Sequence, residues 1–218
     1  MKRTAAFFDF DKTLLTVESA KPGLRYLYER GEVTFGFVLS IMFANVFFQR
    51  HLISEKKMGL LMLRLYRGKL LEKFEMHAVE FYNDRLKPLL ARNILSCVEE
   101  HRQKGHVLVL VSGSVRYFLR PVVEDLGFDH LLCTDLEVKN GLLTGKTEGR
   151  ICIDIEKRIQ VEKLAEQENL DLFASYAYGN HQSDIPLLDL VGHAFVVKPT
   201  RPLKKTALDR GWPILSFA

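Results

Sequence analysis

The sequence predicts an α/β protein, a doubly wound, mostly parallel sheet of Rossmann-like type with an inserted α-helical domain. Three observations lead there. Apolar runs of strand length recur at residues 5–8, 106–111, 173–178 and 194–197, each followed by a helical pattern, and that alternation builds parallel sheets. Polar clusters stand directly after three of the runs: Asp9/Asp11/Thr13, Ser112/Gly113/Ser114 and Asn180/Asp184. Such sheets carry their sites there, at strand carboxyl ends beside the topological switch point. Residues 16–85 contain helical patterns only, so the inserted domain falls between the first strand and the rest.

In chain order, Ala5-Ala6-Phe7-Phe8 is too short and too aromatic for a free helix and reads as a buried parallel strand. Glu18-Ser19 caps a helix that tolerates Pro22 in its first turn and ends at Gly31. Residues 33–51 form an apolar helix, and Ser54 opens another that runs to Tyr66 and stops at Gly68. Leu71–Leu86 is amphipathic, and Pro88 separates it from a helix over 89–103. The run 106–111 is a second buried strand, and the helix over 115–126 closes at Gly127. A short strand covers 129–133, and Asn140-Gly141 turns a hairpin between 136–138 and 142–143. A helix over 155–169, a strand over 173–178, a short helix opened by Pro186, a strand over 194–197, a helix over 203–209 and an edge element within 212–217 complete the chain.

The bulk numbers narrow the function. The 218 residues suffice for one domain with an insert. A net charge of +4 suits anionic substrates but is too mild to imply nucleic acid. Cys97, Cys133 and Cys152 are scattered without metal-ligand spacing, which fits reduced thiols in a cytoplasmic protein. After Met1-Lys2-Arg3 the chain enters its first strand with no cleavable leader pattern. Val33–Gln49 holds no charge over 17 residues, yet Thr34, Gly36, Ser40, Asn45 and Gln49 interrupt it. It reads as a buried or interfacial helix rather than a span.

Asp9 and Asp11 carry the chemistry. Spaced by two on a chain leaving a strand, they point to one side. Like charges that close need a cation or a shared proton. Two solvated acids at a strand end are the plain alternative; the buried run before them and Thr13 after them favour a metal-assisted carboxylate nucleophile with a neighbouring acid/base.

Asp9-Phe10-Asp11-Lys12-Thr13, Ser112-Gly113-Ser114, Lys157 and Gly179-Asn180-x-x-Ser183-Asp184 stand in the order and spacing of the four motifs of the haloacid dehalogenase superfamily. The chain resembles its phosphoserine phosphatase-like branch, which has a helical cap between the first and second motifs. The resemblance implies a core of residues 1–15 and 86–218 and a cap of 16–85. It implies a phosphomonoester hydrolase with Asp9 as nucleophile and Asp11 as acid, then base. Thr13, Ser112, Gly113 and Lys157 are implied as the phosphate site. Mg2+ is the implied cofactor, held by Asp9, the Asp11 backbone carbonyl, Asn180 and Asp184. Asn180 departs from the branch, which commonly has aspartate there; one negative charge is gone, so Asp184 matters more. The departure motivates an alternative, a phosphate-binding or regulatory protein without turnover. Phosphoryl transfer to an acceptor other than water is a further alternative.

Two features bear on the substrate. Glu18 lies where the branch has a glutamate facing the substrate amino group, a phosphoserine-like hint; the alternative is a helix-capping acid. The apolar stretch 33–48, followed by Arg50, Lys56, Lys57, Arg64, Arg67, Lys69 and Lys73, fits a lipid or apolar-tailed phosphate and a peripheral membrane contact through the cap. The same stretch also fits a cap core with a solvated basic face. No nucleic-acid partner is expected, and the oligomeric state is not legible.

Overall fold

The computed structural model describes residues 2–50 and 52–217. The expected helix end at His51 and the outermost expected domain limits, Met1 and Ala218, lie outside the described residues. At the centre is β1 (Ala5–Phe8), fully buried. Its side chains divide by parity, as an extended strand requires. Ala6 and Phe8 pack on one face with Val98 and Leu119, and Ala5 and Phe7 pack on the other with Val161 and Leu187.

Four helices make up the block that follows: α1 (Ala20–Glu29), α2 (Phe35–Gln49), α3 (Glu55–Leu63) and α4 (Leu71–Phe81). The Thr34 and Ser54 hydroxyls cap α2 and α3 by accepting from the N–H groups of Phe37 and Lys57. Helix α4 buries Phe74, Ala78 and Phe81, one helical stripe. Then come α5 (Arg92–Gln103), β2 (Val107–Val115), α6 (Arg116–Leu126), β3 (His130–Lys139), β4 (Leu142–Glu148), α7 (Ile155–Gln167), β5 (Tyr176–Gly179), α8 (Ile185–Leu188), β6 (His193–Val197), α9 (Arg201–Arg210) and β7 (Ile214–Leu215).

The seven strands run in the order β4-β3-β2-β1-β5-β6-β7. All neighbours are parallel except β3 and β4. Phe7 registers with Val109 on one side and Ala177 on the other. Helices α5 and α6 supply one face's core, and α7, α8 and α9 supply the other's. The chain steps outward from β1 through β2 and β3, then returns to the opposite side of β1 with β5. The carboxyl end of β1 therefore lies at the switch point, where no crossover covers it.

The structure departs from the sequence reading in two places. β3 is one strand where two were expected. Its first half pairs parallel with β2 and its second half antiparallel with β4, so one strand serves two partners. β5 begins at Tyr176, not Phe173, because the Asp171 carboxylate accepts the N–H groups of Phe173 and Ala174 and turns the chain there. The helical block is tied to the β3–β4 hairpin and to α6. Gly68 N–H donates to the Leu143 carbonyl and Leu143 N–H to the Lys69 carbonyl. Leu63 and Phe74 share a buried cluster with Tyr117 of α6 and Leu143 of β4.

Candidate active site

Asp9 leaves β1 still tied to the sheet, its N–H donating to the Tyr178 carbonyl at 2.9 Å. Its carboxylate is buried. Oδ1 accepts from Lys157 Nζ at 2.7 Å, and Oδ2 accepts from Thr13 Oγ1 at 3.1 Å. Lys157, in the first turn of α7 and only 3% exposed, also donates to Asp184 Oδ1 at 2.6 Å. The other oxygen of Asp184 accepts the N–H groups of Asn180 and His181, each at 2.9 Å. This packs the loop after β5 so tightly that a Cβ on Gly179 would stand 2.7 Å from Asp184 Cβ; only glycine fits.

Lys12 takes a left-handed conformation (φ 55°), and its side chain pairs with Glu18. The Asp11 carboxylate has partners separate from those of Asp9. It accepts the Ser19 N–H at 2.5 Å and the Ser114 hydroxyl at 3.4 Å. Ser112 Oγ accepts the Ser114 N–H at 3.1 Å, and the Gly113 carbonyl accepts the Thr134 hydroxyl at 2.8 Å. A Cβ on Gly113 would meet Ile153 Cγ2 at 2.8 Å, so glycine is required here too.

The electrostatics follow from burial and pairing. Burial pushes Asp9 up to about 7, with Lys157 pulling against it and Asp184 adding to it. Asp11 is raised by burial, while the hydrogen bonds from Ser19 hold it back. Burial alone would lower Lys157. Asp184 and Asp9 outweigh that and hold the ammonium above the ordinary lysine range.

The side chains that meet Lys157 here, Asp9 and Asp184, are carboxylates and offer only oxygen. Oxygen donors of this kind fit a hard divalent cation such as Mg2+. Among the described residues no group of three or more His, Cys, Asp or Glu side chains could hold a metal.

Between the helical block and the sheet lies a cavity of about 210 Å³. Its polar end is Asp11, Ser19, Gly113, Ser114 and Thr134; the rest is mostly apolar or aromatic, including Leu27, Met62, Tyr66, Phe74, Tyr117 and Phe118. Among its described lining residues Asp11 is the one carboxyl group and His77 the one imidazole, and none is Lys or Arg.

The structure thus brings together Asp9, Thr13, Lys157, Asn180 and Asp184 in one cluster, and Asp11, Ser112 and Gly113 in an adjoining one. Glu18, expected to face the substrate, is paired with Lys12 and lines no part of the cavity. The sequence reading did not single out Thr134, His77 or the aromatic wall. The stripe Phe74, Ala78, Phe81 was the one available signal, and it does not say what the stripe faces.

A family model described as haloacid dehalogenase-like hydrolase matches residues 6–189. A Mycobacterium tuberculosis protein named as a probable phosphatase is 31% identical over 99% of this chain and 76% of its own length. A crystal structure of a protein of unknown function from Bordetella pertussis superposes with a TM-score of 0.88 at 26% identity, covering 99% of both chains. A structure described as a phospho-aspartyl intermediate analogue of phosphoserine phosphatase superposes with a TM-score of 0.73 at 22% identity, over 99% of this chain and 94% of that one. That last likeness is one of fold.

Proposed function

The chain belongs to the haloacid dehalogenase-like hydrolases and is a phosphatase of that family, and from that premise we propose a Mg2+-dependent phosphomonoester hydrolase that works through a phosphoryl-aspartate on Asp9 and prefers esters of apolar alcohols. The observation that carries the reading is the juxtaposition of two carboxyl groups in different settings. Asp9 is gripped by Lys157 and Thr13, while Asp11, two residues on, opens onto an apolar cavity.

Each residue has a part in the chemistry. An oxygen of Asp9 attacks phosphorus, and the ester P–O bond breaks. Asp11, as the acid, gives its proton to the departing alkoxide. Asp11, now the base, takes a proton from water, whose oxygen attacks phosphorus; the bond to Asp9 breaks and inorganic phosphate leaves. The Lys157 ammonium offsets charge that gathers on the phosphoryl oxygens. Thr13 holds the spare oxygen of Asp9, so that a single oxygen is aimed. Ser112, with the amide of Gly113, is placed to cradle the phosphate. Mg2+, when bound by Asp9, the Asp11 carbonyl, Asn180 and Asp184, would supply Lewis-acid charge beside the phosphoryl group. The helical block, residues 16–85, serves as the cap over this site.

The wall supports the choice of alcohol. A leaving serine would bring an ammonium and a carboxylate, and each needs a partner when buried. The cavity offers no cation for the carboxylate, and Glu18 is engaged elsewhere. An alkyl or aryl group is satisfied by Leu27, Phe74 and Tyr117. The test is phosphate release with Mg2+ from an aryl phosphate, a long-chain alkyl phosphate and phosphoserine. The apolar esters should lead phosphoserine in kcat/KM by about tenfold or more. No release from any ester, with Mg2+ or Mn2+, would overturn hydrolysis. Beryllium fluoride binding without turnover would then identify a phosphate-binding protein, the reading that Asn180 motivates.

A further inference from the structure

Helix α2 is uncharged and apolar on nearly every side, a pattern expected of a helix buried all round. Yet only one side of it is covered. Ile41 and Ala44 are buried, while Phe35, Leu39, Met42, Phe43, Val46 and Phe47 are exposed, Phe35 by 65%, Phe43 by 61% and Met42 by 59%. Their spacing of four, seven, eight, eleven and twelve from Phe35 places all six on one face. A contiguous apolar face of this kind marks a contact with something apolar.

The face has almost no means of specifying a protein partner. Its one hydroxyl, Ser40, donates to the Phe37 carbonyl at 2.7 Å, and the Thr34 hydroxyl is used in capping the same helix. Charge enters where the helix ends. Arg50 continues the face, Lys56 and Lys57 follow in the first turn of the adjoining α3, and Arg64 and Arg67 come after it. Among the described residues none of these five pairs with a carboxylate, whereas Lys69 and Lys73 are both bound to Glu32. An apolar helical face that ends in unpaired cations complements the acyl boundary of a bilayer with anionic headgroups. At 15 residues α2 is about 22 Å long, short of the ~30 Å hydrocarbon core. No helix among the described residues is long and apolar enough to cross a membrane.

We propose that the cap docks on anionic membrane surfaces, laying the α2 face into the headgroup and acyl boundary with Arg50, Lys56 and Lys57 on the headgroups. This deepens the functional reading above, since an apolar-tailed phosphate ester would be met at that boundary, and it rests on that reading only for the substrate's location. Docking is therefore measured without turnover. The full chain is sedimented with phosphatidylcholine vesicles, with and without phosphatidylglycerol, at low and at high salt. Binding is expected to the anionic vesicles only, and to weaken with salt. Phe43→Ser with Phe47→Ser, and separately Arg50→Glu with Lys57→Glu, should each lower binding at least tenfold and leave aryl phosphate turnover unchanged. Lack of binding by the wild-type chain to anionic vesicles at low salt would overturn the proposal, whatever the variants do. Binding that ignores the Phe43 and Phe47 substitutions would overturn it as well. So would a concentration-dependent dimer that the same substitutions dissolve, because the face would then belong to a second copy. Loss of turnover on soluble esters with vesicle binding intact would instead strike the functional reading alone.

Discussion

At the carboxyl end of β1 and β5 carboxylates and an ammonium are buried together; toward the amino end of the sheet imidazole and phenol rings gather, with His101 and Tyr178 buried among them. Asp9, Lys157 and Asp184 form the first set, linked at 2.6–2.7 Å. His101, His106, Tyr176 and His193 gather in the second, joined to Tyr178 through the His101 Nε2 contact to its hydroxyl at 2.9 Å. Burial favours the neutral form at both ends, raising Asp9 and lowering His101 and His106. At the amino end nothing opposes it, and His101 is driven down to about 4 by burial, helped by His106 and Lys104. At the carboxyl end a lysine stands between two acids, and mutual attraction resists. Charge survives burial only where its partners were placed beforehand, and that arrangement suits an end of the sheet that handles phosphate.

The sharpest way to break this contrast is Asp9→Asn. It removes the nucleophile while keeping the shape, so turnover should fall by roughly 10⁴-fold or more, with the fold retained by circular dichroism. Lys157→Met should reach both activity and stability. Asp9 and Asp184 would lose the cation between them, and uncompensated buried charge costs about 3–5 kcal/mol; denaturant unfolding reads it directly. Asp11→Asn should lower turnover by roughly 10²–10⁴-fold. Because its partners are Ser19 and Ser114 rather than Lys157, stability should change little. Asn180→Asp restores a carboxylate at a donor position and should lower the Mg2+ concentration for half-maximal turnover by roughly tenfold; an unchanged metal titration would remove Asn180 from the donor set.

The two ends also differ in how far they could be read in advance. Asp9, Asp11 and Thr13 were legible because a buried run of four residues ends in acids, a pattern with few other uses. The mostly parallel pairing of the sheet followed from alternation, but the order of its strands did not. Lys157 was legible only through the order of the motifs, since a lysine 148 residues from Asp9 looks like any surface lysine until α7 folds back against β1. The cavity wall was not legible. Tyr66, Phe74 and Tyr117 come from three separate elements, and their shared surface exists only after the β3–β4 hairpin ties the helical block down. The continuity of β3 was hidden for a similar reason, because Thr134 and Asp135 look like a break until their partners are known. The ring cluster left no trace either, since His101 and Tyr178 are 77 residues apart and carry no common motif.

The smallest effect tests the neutral end. His101 is 3% exposed, with Nδ1 at 2.8 Å from His106 Nδ1 and Nε2 on the Tyr178 hydroxyl. Its value of about 4 in the fold lies below the 6.5 of a free histidine, so the unfolded chain takes up a proton over a range in which the folded chain does not. Acid therefore favours unfolding. This contribution is complete above pH 6.5, is lost as pH falls from there toward 4, and changes no further below. It amounts to at most about 3 kcal/mol. Asp9, raised to about 7, and Asp11, also raised, titrate in the opposite sense over that window, so the decline is read as the difference in unfolding free energy between wild type and His101→Gln, which should shrink as pH falls from 6.5 toward 4, even though the variant is less stable at pH 8 through lost packing against Tyr176. Glu32, held down to about 2 by its bonds from Lys69 and Lys73, loses its own contribution only as pH falls from about 4.5 toward 2, so the two declines are separable. A wild-type profile that runs parallel to that of His101→Gln between pH 6.5 and 4 would mean that His101 is protonated in the fold, and the contrast between the two ends would fail.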